Sequence, residues 1–106
     1  MPNKPADFTP FYLKVFHLIE EKNNNEFANK LADSQLQAYA NGCISDKIKI
    51  ARKQGHSDWW KESETPIECL RELLAIHVAK GDMVDVAIFA MMIHARECAA
   101  YEESRE

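Results

Sequence analysis

The feature that most constrains this chain is a pair of helical patterns on either side of a Lys80-Gly81 turn. Before the turn, residues suited to a buried helix face recur every three or four positions, at Ile67, Leu70, Leu73, Leu74, His77 and Val78. After the turn, the same spacing is found at Val84, Ile88, Met91, Met92 and Ala95. Glycine readily adopts the left-handed conformation that ends helices. The pattern therefore predicts an antiparallel hairpin of helices over residues 66–80 and 82–101.

The rest of the chain is also predicted to be helical. Its 106 residues contain three glycines and four prolines, and this scarcity of turn residues argues against many short strands. We predict an all-α protein of four to five helices, with a flexible arm over residues 1–8 and a single helical domain over residues 9–106. Because so short a chain buries a modest core, we expect it to oligomerise.

Two helices are predicted in the first 40 residues from their start and stop signals. Thr9-Pro10 combines a hydroxyl N-cap with proline at the first helical position, which predicts a helix over residues 10–21. The three asparagines that follow it can cap a second helix over residues 26–40. We expect Gly42 to end this second helix.

A short basic helix and a loop with two tryptophans come next. Ser45 is expected to cap a helix over residues 46–54, and residues 55–64 form the loop. The basic side chains of this helix form either a solvated face or a phosphate-contacting patch. They are Lys47, Lys49, Arg52 and Lys53. The tryptophans either cover one end of the core or stack on a base. On the second interpretation, the nucleotide-binding residues are Lys49, Arg52, Lys53, Trp59 and Trp60.

Charge and composition exclude several classes of protein. The formal net charge is −4, whereas nucleic-acid-binding proteins usually present a basic surface, so we do not expect a nucleic-acid partner. The chain lacks a signal-peptide pattern and any run of roughly 20 apolar residues, so we expect a cytoplasmic protein with no membrane partner. Cys43, Cys69 and Cys98 match no zinc spacing, and Cys69 is expected to be buried.

Four acidic residues occur at helical spacing around the turn. Glu68 and Glu72 precede it, and Asp82 and Asp85 follow it. Carboxylates on two facing helices can hold a hard divalent cation, and that cation can hold a phosphate. The same residues also have structural explanations: Glu68 completes a capping box with Thr65, Asp82 is an N-cap, and Asp85 suits a helix N-terminus. Both interpretations are open from the sequence.

Helix geometry limits how these carboxylates can meet. In an antiparallel pair centred on the turn, Asp85 lies level with about His77, and Glu72 lies about 7 Å farther away at about 1.5 Å of rise per residue. Glu68 lies one more turn away. One site with all four carboxylates therefore requires a helix offset or a second subunit. His77 and His94 lack clustered partners at ligand spacing, so we expect them to be interior or interface residues.

Two short motifs flank the turn, ECLRE over residues 68–72 and DMVDV over residues 82–86. They resemble degenerate forms of the two motifs of MazG-like all-α nucleoside triphosphate pyrophosphohydrolases, and the following apolar run is also similar. The resemblance implies a magnesium ion held by Glu68, Glu72, Asp82 and Asp85. Cys69 stands where the family has a glutamate, and a thiol is a poor magnesium ligand.

The turn and its Met-Met run also resemble small proteins encoded by bacteriophages. Three hypotheses follow: a magnesium-dependent pyrophosphohydrolase, a non-catalytic nucleotide sponge, and a phage inhibitor that binds a host defence protein. We expect a homodimer or higher oligomer. Its contact surface would be a methionine-rich stripe, which is alternatively part of the core, formed by Val84, Ile88, Met91 and Met92.

Overall fold

The computed structural model describes residues 2–105 and contains four α-helices. They are α1 Lys14–Glu21, α2 Asn25–Lys53, α3 Ile67–Lys80 and α4 Met83–Ser104. No strand occurs within residues 2–105, so the all-α prediction is confirmed for them. Met1 of the predicted arm and Glu106 of the predicted domain lie outside the described residues. Across the described span, no helix is both long and apolar enough to cross a membrane.

The predicted hairpin is confirmed as α3 and α4, with its turn at Gly81. Gly81 has φ 78° and ψ 20°, the left-handed conformation expected at a helix C-terminus. The N–H of Asp82 donates to the carbonyl of His77 at 3.1 Å, which closes the end of α3. The buried apolar side chains of the hairpin are Leu70, Ile88 and Ile93. Their removal from water holds the two helices together.

α2 is one continuous helix of 29 residues, so the predicted stop at Gly42 and the predicted start at Ser45 are wrong. A glycine inside a helix costs about 1 kcal/mol relative to alanine. Tertiary contacts on the second half of α2 offset this cost, because Lys47 lies 2.7 Å from a carboxylate oxygen of Asp7 and 3.3 Å from one of Asp85. The predicted second and third helices are therefore halves of one helix.

α1 begins at Lys14, so the predicted start at Pro10 is wrong. The carbonyl of Thr9 accepts a hydrogen bond from the hydroxyl of Tyr39 at 2.6 Å. Phe11 packs edge-on against the same tyrosine, with ring centroids 4.9 Å apart. These contacts hold the segment before α1 against α2, and they replace the capping that the sequence signal predicts.

The predicted capping box of Thr65 and Glu68 is also wrong. Pro66 occupies the N-cap position of α3 and makes no side-chain cap. The free N–H of Ile67 instead donates to the carboxylate of Glu62 at 3.0 Å. A carboxylate at a helix N-terminus is favourable whichever residue supplies it, and here the loop supplies it.

α2 and α4 run in the same direction but overlap over only part of their lengths. Lys47 lies beside Asp85 at the start of α4, and the loop after α2 lies beside Arg96 farther along α4. The first half of α2 therefore extends beyond the α3–α4 hairpin. The chain measures 55 × 37 × 24 Å, and its radius of gyration is 17.7 Å, against about 13 Å for a compact chain of this length.

The core of the single chain is small. Within residues 2–105, the buried apolar side chains are Ala28, Leu70, Ile88 and Ile93. Cys69 is exposed, so its predicted burial is wrong, because Leu70 takes the face of α3 that is turned towards α4. The predicted methionine-rich stripe is divided, since Ile88 belongs to the core and Met91 is 58% exposed.

We predict that Leu70→Ala lowers the free energy of unfolding by about 2–5 kcal/mol. Leu70 is 2% exposed, so truncation removes apolar contacts and leaves a cavity. Leu73→Ala is the matched control, because Leu73 lies on the same helix at 36% exposure and should lose clearly less. Urea unfolding at one fixed protein concentration, followed by circular dichroism, measures both. Equal losses would contradict the central place of Leu70 in the hairpin.

Candidate functional site

A cleft of about 840 Å³ lies between the second half of α2, the loop after it and the α3–α4 hairpin. Its apolar wall is formed by Leu70, Leu73, Ile88, Phe89 and Met92. Its polar and aromatic groups include Lys47, Arg52, Trp59, Trp60, His77 and Asp85. We call it the tryptophan cleft. An apolar wall with a few polar groups, at this volume, is typical of small-molecule sites.

Three of the five predicted nucleotide-binding residues line the tryptophan cleft, namely Arg52, Trp59 and Trp60. Lys49 and Lys53 are exposed on α2 and do not line it. Trp59 is half-buried, which fits the core-covering interpretation. Trp60 is 62% exposed, and the Nζ of Lys61 lies 4.9 Å from its ring centroid. Trp60 therefore presents aromatic surface that a ligand can reach.

Two of the four predicted metal ligands meet beside the Gly81 turn. Asp82 and Asp85 lie with His77 in a half-buried group whose candidate ligand atoms are all within 4.8 Å of one another. The Nδ1 of His77 is 2.9 Å from Oδ2 of Asp82 and 3.7 Å from Oδ2 of Asp85. We call these three residues the turn cluster. Asp85 is level with His77, as the helix geometry predicts.

The other two predicted ligands, Glu68 and Glu72, lie outside the turn cluster. Glu68 is exposed and accepts a hydrogen bond from Arg71 at 2.6 Å, and Arg71 also lies 3.4 Å from Glu97 on α4. Glu72 is exposed. Within one chain, the hairpin therefore brings together the acidic pair after the turn and leaves the pair before it on the surface.

Lys47 joins the turn cluster to the N-terminal segment. Its Nζ lies 2.7 Å from Oδ1 of Asp7 and 3.3 Å from Oδ2 of Asp85. The hydrogen bond to Asp7 is the largest cause that raises the pKa of Lys47 above its usual value, and Asp85 adds to it. The other oxygen of Asp7 is buried and has no hydrogen-bond partner among the described residues. The ammonium of Lys47 thus neutralises part of the acidic charge at the cleft.

Arg96 holds the tryptophan loop against α4. Its side chain is 11% exposed. The guanidinium donates to the carbonyl of Trp59 at 3.2 Å, and also to the carbonyl of Thr65 and the carboxylate of Glu62. A guanidinium carries five N–H donors in a fixed fork, so one side chain can satisfy several acceptors. These bonds determine where the two tryptophans stand relative to the cleft.

The sequence places Lys47 among the basic side chains of a short helix and His77 level with Asp85. It does not assign partners to either residue or to Arg96. For His77 a signal was available, because helical spacing places it level with Asp85. For the other two, the partners are remote in sequence: 38 positions separate Lys47 from Asp85, and 31 separate Arg96 from Thr65. No local pattern indicates which basic residue of a helix meets such a partner.

Comparison with known proteins identifies no relative. No protein family, curated protein or solved structure matches this chain significantly. What the tryptophan cleft can bind therefore follows from its own geometry and chemistry.

We predict that Asp7→Asn lowers stability near neutral pH and that the difference from the wild type shrinks at high pH. The folded-state pKa of Lys47 is raised above the usual 10.5. This stabilisation is fully present below the unfolded pKa and is lost as the pH rises through the folded pKa. Urea midpoints measured in EDTA from about pH 8 upwards test it. Asp33→Asn, at an exposed position on α2, is the control, and a difference independent of pH would contradict the prediction.

We predict that Arg96→Met increases the quenching of tryptophan fluorescence by acrylamide and shifts the emission to the red. The substitution leaves the carbonyls of Trp59 and Thr65 without their donor, so the loop loses its attachment to α4. Arg105→Met, at an exposed position near the end of α4, is the matched control. Unchanged quenching in Arg96→Met, or the same increase in both variants, would argue against the attachment.

Proposed function

We propose that this protein binds a nucleotide in the tryptophan cleft, as a small bacteriophage-type protein of the MazG-like kind. The observation that carries the proposal is that Trp60, Arg52, Lys47 and Asp85 line one cleft. A nucleotide uses each kind of group: an aromatic face for its base, positive charge for its phosphates, and a carboxylate that can share a cation with them. The apolar wall excludes water from one side of the ligand.

The two ends of the cleft suit the two ends of a nucleotide. At the loop, stacking of a base on a tryptophan is worth about 1–3 kcal/mol, and the fork of Arg52 matches phosphate geometry. At the turn, Lys47 has a shorter contact to Asp7, at 2.7 Å, than to Asp85, at 3.3 Å. An arriving phosphate can therefore replace Asp85 as the second partner of Lys47. That exchange would free Asp85 to ligate a cation.

The donor atoms of the turn cluster fit a divalent cation, and magnesium is the proposed cofactor. Asp82 and Asp85 offer carboxylate oxygens, which magnesium prefers, whereas the imidazole of His77 is a ligand better suited to transition metals. When bound, the cation would neutralise phosphate charge. His77 then acts mainly on the carboxylates, since its Nδ1 lies 2.9 Å from Asp82 and can hold that side chain in place.

Hydrolysis of a nucleoside triphosphate to a monophosphate and pyrophosphate is the second candidate function. It is favoured by the position of the turn cluster, because His77 and Asp85 line the tryptophan cleft. The MazG-like resemblance also assigns Glu68 and Glu72 to the metal, and these lie outside the cluster within one chain. Sequestration of a nucleotide without hydrolysis requires only the cleft, so it is the simpler form of the proposal.

We also propose that the protein is cytoplasmic and self-associates. Cys43, Cys69 and Cys98 are free thiols, which is usual for proteins of a reducing compartment.

Many large apolar side chains are exposed on this short chain, and exposed apolar surface of this kind marks a contact with another protein surface. A second copy of the chain is the partner that we propose for it.

We predict that a saturating nucleoside triphosphate with magnesium raises the melting temperature by about 10 °C, since a ligand at about 100 times its Kd stabilises the folded state by about 2.7 kcal/mol. The four common ribonucleotides, their deoxy forms and cyclic dinucleotides are the probes. Trp60→Ala and Arg52→Met should each lose more than half of the shift. Lys53→Met, on the same helix but outside the cleft, should keep it. No shift with any probe, or full shifts in both cleft variants, would contradict binding in the cleft.

Chelation distinguishes sequestration from hydrolysis. A shift that persists in EDTA, with no release of pyrophosphate, is the outcome expected for a sponge. A shift that is lost in EDTA and in Asp85→Asn, with pyrophosphate released by the wild type, is expected for the hydrolase. Glu72→Gln is the informative comparison, because Glu72 is exposed within one chain. Loss of pyrophosphate release in this variant would indicate a site assembled from two chains.

A further inference from the structure

The first half of α2 and the whole of α1 form a two-helix hairpin that no other helix covers. α1 contacts α2 and no other helix of the described structure. We call residues 12–36 the N-terminal hairpin. Its exposed large apolar side chains are Tyr12, Leu13, Val15, Leu18, Phe27 and Leu36. Phe16 of α1 is half-buried, and its ring centroid lies 6.1 Å from that of Phe11. Val15 borders the groove that these two rings line beside α2 but remains 52% exposed.

The accessible surface area of the chain is larger than that of a compact monomer of the same mass. The accessible area is 8504 Å² for a mass of 12.2 kDa, whereas a compact monomer of this mass exposes about 6,100 Å². The excess is about 2,400 Å². Obligate homodimers bury about 1,000–2,500 Å² on each subunit. One large interface with a second copy would therefore cover the excess.

The charge of the N-terminal hairpin is compatible with contact between two copies. Residues 12–36 contain three lysines and four acidic residues, which gives a net charge of 3 − 4 = −1. Most of the formal charge of −4 therefore lies elsewhere on the chain. Because a two-fold axis brings the same patch of both copies together, a patch of mixed sign can pair with itself, whereas a strongly acidic patch would repel its copy.

The geometry of α2 indicates how a second copy can pack there. Leu36, Cys43 and Lys47 are seven and four positions apart in turn, so they share one stripe of α2. Lys47 of this stripe contacts Asp85 near the start of α4. Cys43 is half-buried, whereas Leu36, two turns before it, is 60% exposed. A helix from another chain can continue on α2 the packing that α4 begins.

We propose that a second copy of this chain covers the N-terminal hairpin and that the protein is a dimer joined through Val15, Leu18 and Leu36. This assigns a surface to the self-association proposed above, and it does not depend on nucleotide binding. The surface differs from the methionine-rich stripe that the sequence suggests. In that stripe Ile88 is buried, and Met92 lines the tryptophan cleft.

Sedimentation equilibrium of the full chain, without nucleotide, tests the proposal. The wild type should have twice the mass of 12.2 kDa at about 10 μM. Leu36→Glu should weaken dimerisation at least tenfold, because it would bury an unpaired charge in an apolar interface, and Val15→Glu should do the same from α1. Met91→Glu is the matched control, since Met91 is 58% exposed and Leu36 is 60% exposed. This variant should remain dimeric.

The outcomes distinguish whether the protein self-associates and which surface it uses. Circular dichroism establishes that the variants keep their helices, and the mass of the wild type needs no variant at all. A wild type that is monomeric at about 100 μM would overturn self-association. A dimer that persists in both Leu36→Glu and Val15→Glu would overturn the assigned surface, and its loss in Met91→Glu alone would return the interface to the methionine-rich stripe. Thermal shifts with nucleotide, measured on the same variants, test binding in the tryptophan cleft independently of dimerisation.

Discussion

The ammonium of Lys47 is the point at which three segments of this chain meet. It lies between Asp7 of the N-terminal segment and Asp85 of α4, and it extends from the second half of α2. Two half-buried carboxylates near each other repel unless a cation lies between them. By supplying that cation, Lys47 fixes α2 beside the start of α4. Lys47 and Asp85 also line the tryptophan cleft, so this contact closes one end of it.

The length of α2 explains both the cleft and the uncovered hairpin. Its 29 residues span about 43 Å, whereas the 8 residues of α1 span about 12 Å and the 22 residues of α4 about 33 Å. α1 and α4 are the helices that contact α2 in the described structure. The second half of α2 borders the cleft beside α3, and the first half lies against α1 and the segment before it. The small core and the large accessible surface have this common cause.

In the proposed nucleotide complex, two kinds of cation would compete for the carboxylate of Asp85. Lys47 already neutralises Asp85, and a divalent ion would need the same carboxylate. In the proposed complex, phosphate would resolve this competition, because its oxygens can accept hydrogen bonds from lysine and coordinate a metal ion at the same time. The sequence predicted Arg52, Trp59, Trp60 and the pair Asp82 and Asp85 for this region. It placed Lys47 in a basic patch without indicating its acidic partners, and it did not predict Arg96, because the partners of both residues are more than 30 positions away.

Features that depend on residues within about one helical turn can be predicted from the sequence. These are the cap of α2, where Asn24 accepts from the N–H of Phe27, and the glycines that follow α2 and α3, Gly55 and Gly81. Other local signals for a helix start or stop are overridden by tertiary contacts, and the sequence does not indicate which ones. Gly42 lies inside α2, whose second half contacts Asp7 and Asp85 through Lys47. The carbonyl of Thr9 accepts a hydrogen bond from the hydroxyl of Tyr39. A cap is worth about 1 kcal/mol, so one or two contacts with a distant residue are enough to override it.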